Sequence, residues 1–114
     1  MKIFKASSFK CAFRGILSAV KSERHMKVHV AAMLVVIAAG FFCRLRLWEW
    51  IVCILLFGMV ISAELINTAI EKLADTVIPW QDERIKFVKD VSAGAVLTVS
   101  IAAALIGILI FLPI

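Results

Sequence analysis

The sequence predicts an all-α membrane protein with three transmembrane helices, preceded by an N-terminal amphipathic surface helix. Two observations carry this prediction. The chain has 114 residues, 63% of them hydrophobic, with a mean hydropathy of +1.03, whereas a soluble domain usually has about 45–50% apolar residues. The excess lies in three long apolar segments, and a transmembrane helix needs about 20 such residues. We therefore expect a single integral-membrane domain over residues 1–114.

The N-terminal segment, residues 1–27, is mixed and basic and is expected to form the surface helix. A cleaved signal sequence would reach its apolar run within the first few residues, so none is expected here. The apolar residues fall within about 100° of arc at 3.6 residues per turn; they are Phe9, Phe13, Ile16, Leu17 and Val20. Lys10, Arg14 and Lys21 flank this arc, where they can meet lipid phosphates. A soluble helix packed on the rest of the protein is the alternative interpretation.

The three predicted spans follow from runs with few or no charges. They cover about residues 28–46, 48–77 and 88–112. Within the first run, residues 28–43, His29 is the one clearly polar side chain. The second begins in the charge-free residues 50–63 and continues helically into "LINTAI". The third is charge-free over residues 91–114 and is long enough on its own.

The basic residues predict the orientation. All but two of the 13 Lys and Arg residues lie in residues 1–27 or in the connection after the second span. The two exceptions, Arg44 and Arg46, lie in the turn between the first two spans. The positive-inside rule therefore predicts a cytoplasmic N-terminus and, after three crossings, a C-terminus outside. The net charge of +5 fits a membrane surface and gives no case for a nucleic-acid partner.

The cysteines and histidines give weaker signals. Cys11, Cys43 and Cys53 show no C-x-x-C or metal-binding spacing, which favours packing roles. His25 and His29, at i and i+4, could share a metal, but two ligands are few for such a site, and an interfacial pair is the preferred interpretation. The P-loop, Rossmann and nucleophile-elbow motifs do not occur in the sequence.

A polar stripe leaves the end of the second span. Glu64, Asn67, Glu71 and Asp75 are spaced 3, 4 and 4 residues apart, which places them on one face of a helix. The stripe rises about 16 Å, at 1.5 Å per residue, from inside the bilayer edge into water. A solvated helix end explains Asp75 and extends at most to Glu71, but it does not explain the two deeper residues. Glu64 is a functional candidate, because an acid at membrane depth is costly unless it is partnered.

The stripe suits two kinds of chemistry. Carboxylates one or two helical turns apart suit Mg²⁺, which keeps waters and takes further ligands from phosphates. A carboxylate in a low-dielectric setting binds protons more readily than in water, which suits a general base for an alcohol. Lys89 and Asp90 open the third span at the same level, so phosphoryl transfer to a lipid hydroxyl is one interpretation. A small multidrug or proton-coupled transporter could use the same carboxylates, and this alternative stays open.

The segments "SAELINTAIEKLAD" and, fourteen residues past Asp75, "KDVSAGAVL" resemble the signature of the prokaryotic diacylglycerol kinase family. The resemblance extends through "FKCAFRGILSAVKSERHMKVH" and the three spans. "SERHMKVH", "SAELINTAIE" and "LIGILIFLP" are more similar to the undecaprenol kinase branch than to the diacylglycerol branch. The resemblance implies a bacterial plasma-membrane enzyme that transfers phosphate from ATP to a lipid alcohol, most similar in sequence to undecaprenol kinases, with diacylglycerol as the alternative acceptor.

The same resemblance implies a role for each matching residue. Glu64 would take the proton from the lipid hydroxyl, and Asn67 would help to hold the reacting groups. Glu71 and Glu23 would share the Mg²⁺ of ATP. Three further matches would lie near the nucleotide: Asp75, Lys89 and Asp90. Further nucleotide contacts are expected from Trp80, Gln81 and Asp82, although "PWQDER" departs from the family pattern, and a phosphate contact is expected from Lys5 or Lys10.

The resemblance also implies a homotrimer with active sites shared between subunits. Three helices alone cannot enclose both a lipid groove and a nucleotide site. Small residues in "SAGAVL" and "AAALIG" allow helices to approach closely. A single chain is expected to leave Glu64 facing lipid, at a cost that a neighbouring subunit could remove.

Overall fold

The computed structural model describes residues 6–112, which form four helices and the short connections between them. The helices are α1 (Ala6–Ser22), α2 (Arg24–Cys43), α3 (Leu47–Val77) and α4 (Glu83–Phe111). The last three are long and apolar enough to cross a membrane. The prediction of an all-helical chain with three such helices is therefore confirmed.

Glu23 alone separates α1 from α2, and its backbone is extended, with φ −108° and ψ 123°. The face of α1 nearest α3 carries small residues, among them Gly15 and Ala19, which line a groove between the two helices. Phe9, Phe13 and Leu17 lie elsewhere on the helix and are 55%, 66% and 58% exposed. Because the described part of the chain leaves these apolar side chains uncovered, the structure favours the surface-helix interpretation over a soluble packed helix.

The turn between α2 and α3 is tight. Arg44 adopts the left-handed conformation, with φ 55°, and the Leu45 N–H donates to the Gly40 carbonyl oxygen at 3.0 Å, which closes the end of α2. Gly40 lies against the start of α3, because an added Cβ would be 2.6 Å from Cη2 of Trp50. The Trp50 ring also packs on Phe41, with ring centroids 4.9 Å apart. This contact joins α2 to α3 at one end of the bundle.

Acidic side chains stabilise the first turns of α3 and α4. Glu49 Oε1 accepts from the Arg46 N–H at 2.8 Å, and Asp82 Oδ1 accepts from the Arg84 N–H at 2.8 Å. Both are donors that a helix start otherwise leaves without a partner. The Arg84 guanidinium also donates to both Asp82 oxygens, at 3.1 and 2.9 Å. These side-chain and backbone hydrogen bonds lower the pKa of Asp82 from 3.8 to about 2.

The main packing interface joins α3 to α4, and α2 packs chiefly on α3. The buried residues of α3 lie along one side of the helix and include two polar ones; they are Cys53, Val60, Glu64, Asn67 and Ala74. Many large apolar side chains on the outer faces are exposed, including Phe42, Ile54 and Leu97. Such a surface suits a lipid environment, since a soluble protein rarely exposes apolar patches of this extent.

Candidate functional site

The polar stripe of α3 runs from a buried end to an exposed end. Glu64 is 3% exposed and Asn67 is 8% exposed, whereas Glu71 is half-buried and Asp75 is exposed. The expectation that a single chain leaves Glu64 facing lipid is wrong, because this side chain is buried within its own chain. The fold therefore provides a partner for each stripe residue without a second subunit.

Glu64 contacts His29 of α2. Nε2 of His29 lies 3.4 Å from Oε2 of Glu64, and the two side chains are 22% and 4% exposed. The contact is an ion pair when His29 is protonated. The sequence-based interpretation paired His29 with His25 and missed this contact. A signal was present, since an ionisable residue inside a span usually has a partner, and Glu64 was the acid at the same end of the next span.

Asn67 links α3 to α4 through a chain of hydrogen bonds. Ser92 Oγ donates to Asn67 Oδ1 at 2.7 Å, and Asn67 Nδ2 donates to Glu71 Oε1 at 3.3 Å. Ser92 is as buried as Asn67, at 8% exposed. Sequence reasoning did not select Ser92, although it lies in the quoted segment "KDVSAGAVL". Because the amide donates with one end and accepts with the other, its orientation is defined by both neighbours.

The exposed end of the stripe meets the start of α4. Lys89 Nζ donates to Asp75 Oδ1, and Lys86 Nζ donates to Asp90 Oδ2 at 2.7 Å. An open groove borders these pairs and the α3–α4 loop; it is lined by Asp75, Ile78, Pro79, Trp80, Gln81, Asp82, Glu83, Ile85, Lys86, Lys89 and Asp90. The three residues expected near the nucleotide therefore lie on one groove with the expected loop residues. Within this groove, Lys89 pairs with Asp75, whereas Asp90 pairs with Lys86.

Glu23 is half-buried at the α1–α2 junction. Its side chain makes no hydrogen bond or ion pair with the rest of residues 6–112. Ser22 and Lys72 line the same groove between α1 and α3, so α1 ends beside the part of α3 that carries Glu71. Lys10 is exposed on α1, and Lys5 lies outside the described residues.

The carboxylates supply a small donor set for a metal. Within the described chain, no group of three or more His, Cys, Asp or Glu residues could hold a metal ion. Glu71 commits one oxygen to Asn67, which leaves the other oxygen free to act as a ligand. A pair of carboxylates suits Mg²⁺ that keeps several waters and takes the remaining ligands from substrate phosphates. The residues therefore fit a phosphate-bound Mg²⁺ better than a metal held by protein alone.

An apolar groove lies between α2, α3 and α4, and His29 marks its end nearest to the stripe. Its lining is otherwise almost wholly apolar and comprises Ala32, Met33, Val36, Cys53, Leu56, Phe57, Val60, Ser100, Ala103, Ala104, Gly107, Ile110 and Phe111. Ser100 Oγ is buried and has no hydrogen-bond partner in the described part of the chain. The groove therefore ends at the histidine that contacts the buried acid.

Comparisons with known proteins agree over almost the whole chain. The family model of prokaryotic diacylglycerol kinase matches residues 10–111. The chain is 41% identical over 106 residues to an undecaprenol kinase of Bacillus subtilis (strain 168), covering 93% of this chain and 86% of that relative. It is 36% identical over 107 residues to a diacylglycerol kinase of Synechocystis sp. (strain ATCC 27184 / PCC 6803 / Kazusa), covering 93% of this chain and 61% of that relative. No solved structure matches.

These matches confirm the family resemblance drawn from the core motif. They also decide against the transporter alternative, since both relatives are lipid kinases. Membership implies ATP-dependent phosphoryl transfer, a reaction that ordinarily needs a divalent metal. With three helices able to span a membrane and a family match from residue 10 to residue 111, the chain belongs to the prokaryotic diacylglycerol kinase family and is a membrane lipid kinase.

Proposed function

We propose that the protein uses ATP to phosphorylate undecaprenol, giving undecaprenyl phosphate, at the cytosolic face of the bacterial plasma membrane. The choice of acceptor is supported by the 41% identity to an undecaprenol kinase over 86% of that relative. Diacylglycerol is the alternative acceptor, supported by the 36% identity to a diacylglycerol kinase. The distribution of Lys and Arg supports a cytoplasmic N-terminus and a C-terminus outside.

One observation carries the proposal: a buried acid contacts the histidine at one end of an apolar groove between the spanning helices. Glu64 is 3% exposed, and His29, its contact, lines the groove between α2, α3 and α4. A long hydrocarbon chain suits such a lining, because its apolar surface stays away from water. A hydroxyl at the end of that chain would then meet Glu64, while the nucleotide approaches from the open groove at the α3–α4 loop.

The transfer itself uses Glu64 as the base. Glu64 accepts the proton of the lipid hydroxyl as that oxygen bonds to the γ-phosphorus of ATP, and the bond from this phosphorus to the bridging oxygen breaks, releasing ADP. Asn67, held by Ser92 and Glu71, positions the reacting groups. Charged residues around the open groove contact the nucleotide; they are Asp75, Lys89 and Asp90. Lys89 would exchange its contact with Asp75 for a phosphate oxygen.

Glu71 and Glu23 are the residues that would hold Mg²⁺. When bound, the metal neutralises charge on the β- and γ-phosphates. Support comes from the free oxygen of Glu71 and from Glu23, which has no charged partner among residues 6–112. Carboxylate oxygens without another partner suit a Mg²⁺ ion that binds together with the nucleotide phosphates.

The proposed assembly is a homotrimer with shared active sites. It rests on the family resemblance and on the small residues of α4, such as Gly94, where an added Cβ would meet nothing within 4 Å in the chain. Neighbouring helices can approach closely at such positions. Because Glu64 is already buried in one chain, the need to cover this acid no longer supports the trimer.

The test compares acceptors in mixed detergent–lipid micelles with purified protein and ATP. We expect kcat/KM for undecaprenol to exceed that for diacylglycerol by at least about tenfold, equivalent to ~1.4 kcal/mol in transition-state binding. Equal or reversed preference would overturn the choice of acceptor and leave a lipid kinase of another specificity. Phosphorylation of neither alcohol would overturn the proposed function as a whole.

A further inference from the structure

The proposed function, on which this inference rests, leaves one proton on a buried side chain in every catalytic cycle. The proton leaves the lipid hydroxyl for Glu64, and Glu64 must lose it before the next turnover. Its side chain is only 4% exposed, so water has little direct access to the carboxyl group. A neighbouring group that exchanges protons would provide a path for this proton.

His29 is the group in contact with that carboxyl. Nε2 lies 3.4 Å from Glu64 Oε2, and the imidazole is 22% exposed, several times more than Glu64. Imidazole exchanges protons readily near neutral pH. Asn67 and its partner Ser92 are less suitable, because they are engaged with each other and neither is a base at neutral pH. His29 is therefore the proton-exchanging group in contact with Glu64, one helical turn from the exposed His25 near the start of α2.

We propose that His29 accepts the proton from Glu64 after phosphoryl transfer and passes it to water. The O–H bond of the protonated Glu64 breaks and an N–H bond forms at Nε2, which turns neutral imidazole into imidazolium and restores the carboxylate. A water molecule or a buffer base then takes one proton from the imidazolium. His29 acts through Glu64, as a positioning residue that receives its proton only after the transfer step.

The test separates the first turnover from later ones. His29→Gln keeps a polar side chain but cannot carry a proton. With ATP below the concentration of active sites, we expect its single-turnover rate to stay within about twofold of the parent, as the base is intact. With saturating ATP, the steady-state rate should fall by roughly 10²-fold, the lower end for a positioned proton-transfer group. His25→Gln is the matched control, because His25 is exposed one turn earlier on α2, and both its rates should stay unchanged.

Chemical rescue provides the second arm. In His29→Ala, added imidazole should restore the steady-state rate in a concentration-dependent way, whereas it should leave the His25→Gln rate unchanged. If His29→Gln assembles poorly, the imidazole rescue of His29→Ala tests the proton path in its place. A steady-state rate for His29→Gln equal to the parent would overturn the proposal. Equal loss of both rates without rescue by imidazole would also overturn it, by showing a structural role.

A parallel measurement on Glu64→Gln keeps the two proposals distinguishable. If Glu64 is the base, this variant loses the single-turnover rate as well as the steady-state rate. Retention of both rates by Glu64→Gln would overturn the proposed role of Glu64, and the proton path with it. Loss of both rates in Glu64→Gln, together with unchanged rates in His29→Gln, would overturn the proton path alone.

Discussion

Ser92 of α4 donates its hydroxyl hydrogen to Oδ1 of Asn67 on α3, over 2.7 Å and in a buried position. This bond joins the two helices that form the main packing interface. It also directs the amide of Asn67, so that Nδ2 is the end that faces Glu71. The geometry of the proposed catalytic group therefore depends on a serine that is not itself hydrogen-bonded to Glu71.

Replacing Ser92 with Ala should lower both stability and activity. The buried Oδ1 of Asn67 loses its donor, which costs about 1–3 kcal/mol for an unsatisfied buried group. The amide also loses its defined orientation, so we expect kcat to fall by roughly tenfold, or ~1.4 kcal/mol. Thermal unfolding in detergent and a lipid phosphorylation assay measure the two effects.

The matched control for this variant is Ser100→Ala. Ser100 lies on the same helix, and its buried Oγ has no hydrogen-bond partner in the described chain, so removing the hydroxyl should leave the unfolding temperature unchanged or raise it. A Ser92→Ala variant as stable as Ser100→Ala would show that the bond to Asn67 contributes nothing measurable.

The contact between Gly40 and Trp50 gives a prediction about the far end of the bundle. In Gly40→Ala the added Cβ would lie 2.6 Å from the indole ring, which also packs on Phe41. Overpacking of this kind typically costs about 1–3 kcal/mol. We expect a lower unfolding temperature, and we expect the double variant with Trp50→Leu to regain part of the loss because the smaller side chain leaves space.

Gly58→Ala is the control for the glycine substitution. An added Cβ there meets nothing within 4 Å in the chain, and Ala is favoured over Gly inside a helix by about 0.5–1 kcal/mol. We expect its stability to equal or exceed that of the parent. If the unfolding temperature of Gly40→Ala equals that of Gly58→Ala, the Trp50 side chain can move enough to accommodate the added methyl group.

The polar stripe of α3 could be predicted from the sequence, whereas the residues that contact it from α2 and α4 could not. Helical periodicity places Glu64, Asn67 and Glu71 on one face, because that depends only on spacing within one helix. The partners His29 and Ser92 depend on the axial and rotational register between helices. Spacing within a helix carries no information on that register, so the burial of Glu64 by its own chain was missed. The open groove near Asp75 could be predicted from the sequence, because the loop and the helix ends that line it are adjacent in the chain.

Asp82 gives a prediction about pH. Its pKa is lowered from 3.8 to about 2 by its hydrogen bonds with Arg84. A lowered pKa in the folded state means that the cap contributes stability above pH ~4, and this contribution is lost as the pH falls through about 2. We expect the Asp82 carboxyl to titrate with a midpoint near 2, with faster exchange of the Arg84 amide hydrogen below it.

The matched variant is Asp82→Asn, since Asn caps a helix about as well as Asp but carries no charge. In this variant the exchange rate of the Arg84 amide hydrogen, relative to that of an unprotected amide at the same pH, should show no step near pH 2. A midpoint near 3.8 for the carboxyl in the parent protein would mean that Arg84 does not hold Asp82 in solution.

Glu71→Gln and Glu23→Gln test the proposed metal ligands. Each variant loses one carboxylate charge, so the Mg²⁺ concentration for half-maximal activity should rise by at least about tenfold, which is what loss of even an outer partner of a metal ligand costs. Direct Mn²⁺ titration in the presence of a non-hydrolysable ATP analogue should show the same weakening. Glu49→Gln is the control, because Glu49 contacts Arg46 at the start of α3. Unchanged Mg²⁺ dependence in both Glu71→Gln and Glu23→Gln would remove these residues from the metal site.

The last prediction concerns Glu64 itself. Glu64→Gln keeps the size and polarity of the side chain but cannot accept a proton, and a positioned base is typically worth about 10²–10⁴ in rate. We expect kcat to fall by at least 10²-fold with ATP binding unchanged. The variant should be no less stable than the parent, because a buried neutral amide avoids the cost of a buried charge and His29 can stay neutral beside it. Near-normal phosphorylation would show that another group takes the proton, whereas loss of assembly would make Glu64 a structural residue whose pairing with His29 holds α2 on α3.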